Sequence, residues 1–164
     1  MRWAMLLVML FQVGCSREWW PDTYPVPVAV LGETSPAERR EMAARVAEWE
    51  AAVGRDLFEL SFEPRGLSDC GRVNVWVRDG MGDGYGELTP TECSLFLEIR
   101  RPTAAELERW GHSEFGRVFA HELGHVLLGR EHSSEPGSVR HDPIEPWAIV
   151  TDDDVSAVRA TLGE

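Results

Sequence analysis

Positive charge is scarce in this sequence, and lysine is absent. Its 16 basic residues are all arginine and stand against 28 aspartate and glutamate residues, which leaves a formal net charge of −12 over 164 residues. Proteins bind nucleic acids through basic patches that neutralise phosphate groups, so this balance argues against a nucleic-acid partner. We attribute the missing lysine to a compositional bias. The length and the hydrophobic content of 43% are typical of one soluble globular domain with a real core.

An apolar run of membrane-spanning length is also missing near the N-terminus. The unbroken apolar stretch at residues 4–11 is shorter than the about 20 residues that a transmembrane helix needs. A basic residue before this stretch and a small residue before Cys15 resemble a bacterial lipoprotein signal. A plain secretory signal cut nearby is the alternative. We therefore predict a signal peptide at residues 1–14, lipid on Cys15, a tether at residues 15–24 and an extracytoplasmic protein that meets the membrane only through its anchor.

Cysteine is used sparingly, with three residues in the whole chain. If Cys15 carries lipid, Cys70 and Cys93 remain, and an even pair in an exported domain predicts a disulfide. Closing that loop would contribute about 3 kcal/mol to stability. Two free buried thiols in a cytosolic chain are the alternative, which the signal segment disfavours.

From residue 25 onward, strand-like and helix-like patterns follow one another and predict an α+β domain at residues 25–164. Alternating or continuous apolar runs predict the strands, and capping boxes or a terminal glycine delimit the helices. The predicted strands cover residues 26–31, 58–62, 72–78 and 95–99, and the predicted helices cover residues 35–54, 103–111 and 113–129.

The loop at residues 79–87 is rich in glycine and carries three carboxylates, Asp79, Asp83 and Glu87. Hard oxygen ligands on a flexible backbone suit calcium, but their spacing does not match the EF-hand loop. We favour a solvated glycine-rich loop over a Ca²⁺ site. Residues 85–88 can continue as an edge strand, to which an extended peptide could pair.

The segment His121-Glu122-Leu123-Gly124-His125 matches the HExxH pattern of zinc hydrolases. On a helix, residues four apart are separated by about 40° and about 6 Å, so both imidazoles can reach one metal ion. Glu122 is turned by about 100° from His121 and suits a general base that takes a proton from water. Gly129 can end the helix and reverse the chain. His132 can then return as a third ligand, leaving a position for water.

This segment and the tail after it resemble the metzincin zinc peptidases, and among them the matrixins. That family has the pattern HExxHxxGxxH followed by a turn that contains methionine. Residues 133–139 resemble the segment leading into that turn, and residues 151–159 resemble the start of the last matrixin helix, which ends here near Gly163. The resemblance covers residues 25–163 in outline and residues 121–163 in motif detail.

The resemblance implies a mostly parallel twisted sheet of about 4–5 strands, an N-terminal helix, a central active-site helix and a C-terminal helix. It places the strands that start near Cys70 and Cys93 side by side in parallel, which brings the two sulfur atoms together. It further implies a monomeric endopeptidase that cleaves peptide or protein substrates. In this enzyme His121, His125 and His132 hold one Zn²⁺ and Glu122 is the general base.

One departure from the family pattern is an extra residue before the turn glycine. Gly129 lies four residues after His125 instead of three. We predict His132 as the third ligand because the Gly-x-x-His spacing is kept. By strict count Glu131 occupies the ligand position, and a carboxylate can bind zinc. His141, or no third protein ligand, completes the alternatives.

A second departure is Arg140, which stands where the family has methionine. A buried, unpaired arginine is costly, so we expect either an opened turn or a carboxylate beside Arg140. Both departures are compatible with a non-catalytic envelope lipoprotein that keeps the scaffold as a binding module. The intact Glu122 argues against that alternative.

Overall fold

The computed structural model of the protein describes residues 18–62, 70–79, 86–111, 113–145 and 147–164. The predicted signal peptide and Cys15 lie outside the described residues. The described residues form an α+β domain with five strands and four helices. In chain order these are β1 Val26–Val30, α1 Pro36–Val53, β2 Phe58–Ser61, β3 Val73–Arg78, β4 Gly86–Pro90, β5 Leu95–Arg100, α2 Ala104–Trp110, α3 Ser113–Leu128 and α4 Asp152–Leu162.

The strands form one mostly parallel sheet in the order β2-β1-β3-β5-β4. Strands β1, β2, β3 and β5 run parallel to their neighbours, whereas β4 pairs antiparallel with β5. The predicted class and the predicted mostly parallel sheet are thus confirmed. β4 lies at the sheet edge, as expected for the segment that follows the glycine-rich loop.

The helices begin and end where their local chemistry requires. Ser35, Thr103 and Thr151 each form a capping box, in which the side chain and the residue three positions later satisfy each other's backbone N–H groups. Gly54 ends α1 with a φ of 85°, a conformation that glycine adopts without steric cost.

Helix α3 is surrounded by other elements, since it contacts α1, α4, β4 and β5. Its predicted apolar face is buried, and most of its other residues are buried too. Trp49 of α1 is fully buried, and its Nε1 donates a hydrogen bond of 2.9 Å to the carbonyl oxygen of Ala120. A helix held on several sides gives its side chains fixed positions, which is what a metal site requires.

A disulfide joins Cys70 to Cys93, as predicted. The bond links the starts of β3 and β5, which pair in parallel with Val73 opposite Leu95. A disulfide of this kind indicates an oxidising, extracytoplasmic compartment. None of the helices in the described part of the chain combines the length and the apolar content needed to cross a membrane.

The described part of the predicted tether lies against the domain. The backbone N–H of Trp19 donates to the carbonyl oxygen of Thr91 at 2.7 Å, and Trp19, Trp20 and Tyr24 pack on the hydrophobic core. Packing on the domain is therefore the observed role of the tryptophan pair, which the sequence alone left open.

A buried ion pair at the start of α1 should make stability depend on pH. Glu38 is 2% exposed, and its Oε1 accepts a hydrogen bond of 2.8 Å from Nε of Arg101. Burial alone would raise the pKa of Glu38, but the hydrogen bonds from Ser35 and Arg101 outweigh it, and the pKa lies below its ordinary value. Its stabilising contribution is therefore complete above the unfolded pKa, about 4.3, and is lost as pH falls through the lower, folded pKa.

We expect Glu38→Gln to lower the free energy of unfolding at neutral pH by about 2 kcal/mol. Below about pH 4.3 the free energy of unfolding of the variant should fall less steeply than that of the parent. Urea denaturation at several pH values measures both effects. Glu108→Gln changes an exposed carboxylate of α2 and is the matched control. Parallel pH profiles for the parent and Glu38→Gln would contradict the prediction.

Candidate metal centre

Three histidines converge at the C-terminal end of α3. His121 and His125 lie on successive turns of this helix, and Gly129 ends it with a φ of 76°. The chain then reverses, and His132 returns to the other two. One nitrogen of each ring lies within 4.8 Å of the others, and the ring centroid of His132 is 5.2 Å from that of His121 and 4.9 Å from that of His125. These residues are close enough together to hold a metal ion.

Backbone carbonyls orient the two helical imidazoles. Nδ1 of His121 lies 2.8 Å from the carbonyl oxygen of Val139, and Nδ1 of His125 lies 2.8 Å from that of Gly129. A carbonyl oxygen only accepts, so we assign the ring proton to Nδ1 in both residues. Donation of the distal N–H to a backbone carbonyl is the usual arrangement of metal-binding histidines.

With both protons on Nδ1, the Nε2 atoms of His121 and His125 carry lone pairs. These atoms lie 3.0 Å apart, a separation that two bare acceptors do not hold without a cation or a proton between them. Two nitrogens on one tetrahedral zinc ion lie about 3.3 Å apart. The donor set therefore fits zinc.

The protonation state of these histidines is also the one that binds metal. Burial lowers the pKa of His121 to about 4, and burial likewise lowers the pKa of His125. The hydrogen bonds to Val139 and Gly129 oppose burial, and the net direction remains downward. Both rings are therefore neutral near pH 7, as a ligand must be.

Glu122 lies in the same cleft as the histidines and is 5% exposed. Burial, and to a smaller extent the negative charge of Glu87, raise the pKa of Glu122 to about 7. The backbone of β4 approaches this carboxylate closely. A Cβ atom at Gly86 would lie 2.6 Å from Oε1 of Glu122, so the carboxylate occupies space that only glycine leaves free.

The cleft has a volume of about 360 Å³. One wall is the edge strand β4, the floor is α3, and the segment after α3 supplies the remaining wall. Its lining residues are Gly86, Glu87 and Leu88 from β4, His121, Glu122 and His125 from α3, and Arg130, His132 and Asp142 from the segment after it.

The alternative ligands lie elsewhere. The Glu131 side chain is exposed and is not part of the group of potential ligands found among the described residues. His141 uses Nδ1 to contact the carbonyl oxygen of Pro143 at 3.0 Å.

Of the three carboxylates in the glycine-rich loop, the structure describes Asp79 and Glu87, and these two have different neighbours. Asp83 lies outside the described residues. Asp79 accepts a hydrogen bond of 3.0 Å from Nη1 of Arg101, and Glu87 faces the cleft. The described residues therefore give Asp79 and Glu87 separate surroundings.

Arg140 is buried, with 6% of its surface exposed. Of the two expectations for this residue, the carboxylate is the one observed, because Nη1 lies 3.7 Å from Oδ1 of Asp154 on α4. The turn that contains Arg140 is closed by a hydrogen bond of 3.1 Å from the backbone N–H of His141 to the carbonyl oxygen of Ser138.

Some residues of the cleft were not identified from the sequence. The proximity of Gly86 to Glu122 and the contribution of Asp142 depend on how β4 and the post-helix segment fold back onto α3. The sequence offers Glu87 only as one of three loop carboxylates compatible with calcium, and the solvated loop is the favoured interpretation there. The one available signal was the predicted edge strand at residues 85–88, which marks a wall of the cleft without naming its neighbours.

Comparison with known proteins does not assign this chain to a family. No model of a known protein family matches this chain, and no curated protein matches its sequence. Its function is therefore inferred from the residues of the cleft.

Proposed function

We propose that this protein is a zinc-dependent endopeptidase that resembles the metzincins and, among them, the matrixins. One observation carries the proposal: three imidazole groups converge beside a buried glutamate whose pKa is raised to about 7. A cluster of three imidazoles next to a buried, proton-accepting carboxylate suits metal-assisted hydrolysis.

His121, His125 and His132 would hold the zinc ion. When bound, zinc supplies a Lewis acid that polarises the scissile carbonyl and makes water more acidic. Glu122 takes the proton from the attacking water and returns it to the leaving amine. Burial of this carboxylate favours its protonated form, which supports acceptance of a proton from water in the cleft.

The edge strand β4 supports a peptide as the substrate. An extended peptide can hydrogen-bond to the exposed backbone of an edge strand, and β4 forms the wall of the cleft next to Glu122. This arrangement would hold a main-chain carbonyl near the three histidines.

The proposed setting is the cell envelope. The disulfide agrees with export, and the N-terminal signal pattern with Cys15 supports a lipid-anchored protein outside the cytoplasm.

We expect the purified full-length chain to bind about one zinc ion per chain and to cleave casein or members of a peptide library. Removing the metal with phenanthroline should abolish cleavage because the Lewis acid is lost, and added zinc should restore it. Metal analysis and mass spectrometry of the products measure both results. Tight zinc binding with no cleavage of any substrate would overturn the peptidase proposal and favour the non-catalytic binding module. Absence of zinc binding would contradict both.

A further inference from the structure

We propose that Arg140 is a positioning residue for the third histidine, His132. It holds His132 at the metal centre by binding the backbone of the residues before and after it, Glu131 and Ser133. This inference rests on the proposed function in treating His132 as a ligand. The contacts that carry it lie among the residues flanking His132, in the turn after α3 and on α4.

Arg140 contacts both neighbours of His132. Nη2 of Arg140 donates a hydrogen bond of 2.6 Å to the carbonyl oxygen of Glu131. The carbonyl oxygen of Arg140 accepts a hydrogen bond of 3.1 Å from the backbone N–H of Ser133. His132 itself is exposed, so its own packing does not fix it. One hydrogen bond on each side of His132 therefore restricts the backbone of this exposed residue directly.

The same short segment also holds a helical ligand. The carbonyl oxygen of Val139, the residue before Arg140, accepts a hydrogen bond from Nδ1 of His121. Residues 139 and 140 therefore connect to two of the three histidines. A displacement of this segment would change the geometry between them.

Helix α4 anchors the arginine. The carboxylate of Asp154 is fully buried and lies 3.7 Å from Nη1 of Arg140. Asp154 also accepts hydrogen bonds of 2.8 and 2.9 Å from Oγ of Ser138, and this Oγ accepts the backbone N–H of Arg140 at 2.9 Å. The Asp154 side chain thus both pairs with the guanidinium of Arg140 and holds the turn through Ser138.

Helix α3 leaves room for the arginine stem at Gly124, between the two helical histidines. A Cβ atom at this position would lie 2.7 Å from Cγ of Arg140 and 3.3 Å from Trp49. The arginine therefore packs directly beneath the helical turn that carries His121 and His125.

Stability alone does not explain a charged residue here. Within the described part of the chain, Nε of Arg140 is buried without a hydrogen-bond partner, which costs free energy. Apolar replacement of a buried ion pair is often neutral or stabilising. The contribution of Arg140 is therefore expected in the geometry of the ligands and not in the free energy of unfolding.

The test compares full-length parent protein with Arg140→Met and with the double variant Arg140→Met/Asp154→Asn, which removes both charges. We expect the metal-free double variant to fold and to lose some stability, as the matched control below does, because both change a carboxylate that closes a helix capping box. Its dissociation constant for zinc, measured by competition with a chelating dye, should rise by about tenfold to a hundredfold. Amide hydrogen exchange at His132 and Ser133 in the metal-free protein should become faster.

The matched control is Arg101→Met/Glu38→Gln, which removes an ion pair whose arginine contacts residues 33, 38 and 79. It should lose stability and keep its zinc affinity. The inference is overturned if the double variant fails to fold, if its zinc affinity stays within about twofold of the parent, or if the control loses as much affinity.

The two proposals fail separately. A parent protein that binds no zinc would end the proposed function, while the exchange rates of the metal-free variants would still decide whether Arg140 holds His132. Zinc-dependent cleavage with an unaltered zinc affinity in the Arg140 variants would keep the proposed function and remove only the positioning role.

Discussion

Replacing Glu122 with glutamine is expected to lower peptide cleavage by about a thousandfold while leaving zinc bound. Glutamine keeps the shape of the side chain beside Gly86 but cannot accept the proton of the attacking water. The three histidines are untouched, so the affinity for zinc should stay close to that of the parent. The contrast between lost turnover and retained metal identifies a proton-transfer role.

Initial rates of cleavage and zinc content per chain measure this outcome. Glu131→Gln is the control, because it changes an exposed carboxylate near the site in the same way. It should leave turnover unaltered. Full activity in Glu122→Gln would remove the general base from the proposed mechanism. Loss of zinc in that variant would mean that Glu122 acts on the metal site itself.

Replacing His132 with alanine is expected to weaken zinc binding by about a hundredfold. A binding free energy of about 10 kcal/mol shared by three ligands gives about 3 kcal/mol each, and every 1.4 kcal/mol is tenfold. The fold should be retained, because His132 is exposed and lies outside the regular elements. Chelator competition for zinc measures the affinity, and thermal unfolding of the metal-free variant checks the fold.

Glu131→Ala and His141→Ala are the decisive comparisons for the third ligand. Both should bind zinc like the parent, because the Glu131 side chain is exposed and His141 contacts Pro143. Weak binding in Glu131→Ala together with normal binding in His132→Ala would return the ligand role to the position given by strict counting along the family pattern.

The order and type of the regular elements follow from local sequence. The capping boxes at Ser35 and Thr103 satisfy backbone donors within four residues, so the sequence alone locates these two helix starts. The start of α4 near Thr151 came from the resemblance to the matrixin tail, and its capping box appears only in the structure. Gly129 ends α3 for an equally local reason. The placement of His121 and His125 on one helical face also needs only the helical repeat.

Contacts between distant parts of the chain needed the tertiary structure. The sequence left His132, Glu131 and His141 open as the third ligand, because an extra residue before Gly129 changes the direction in which the chain leaves the helix. The folded chain brings His132 to the other two histidines.

The partner of Arg140 could not be read from the sequence either. Asp154 lies on α4, and nothing in the local pattern pairs it with a residue of the turn. The same holds for Gly86 beside Glu122, which belong to β4 and α3. Local hydrogen bonding and periodicity determine where helices and strands form, whereas packing of whole elements decides which side chains meet.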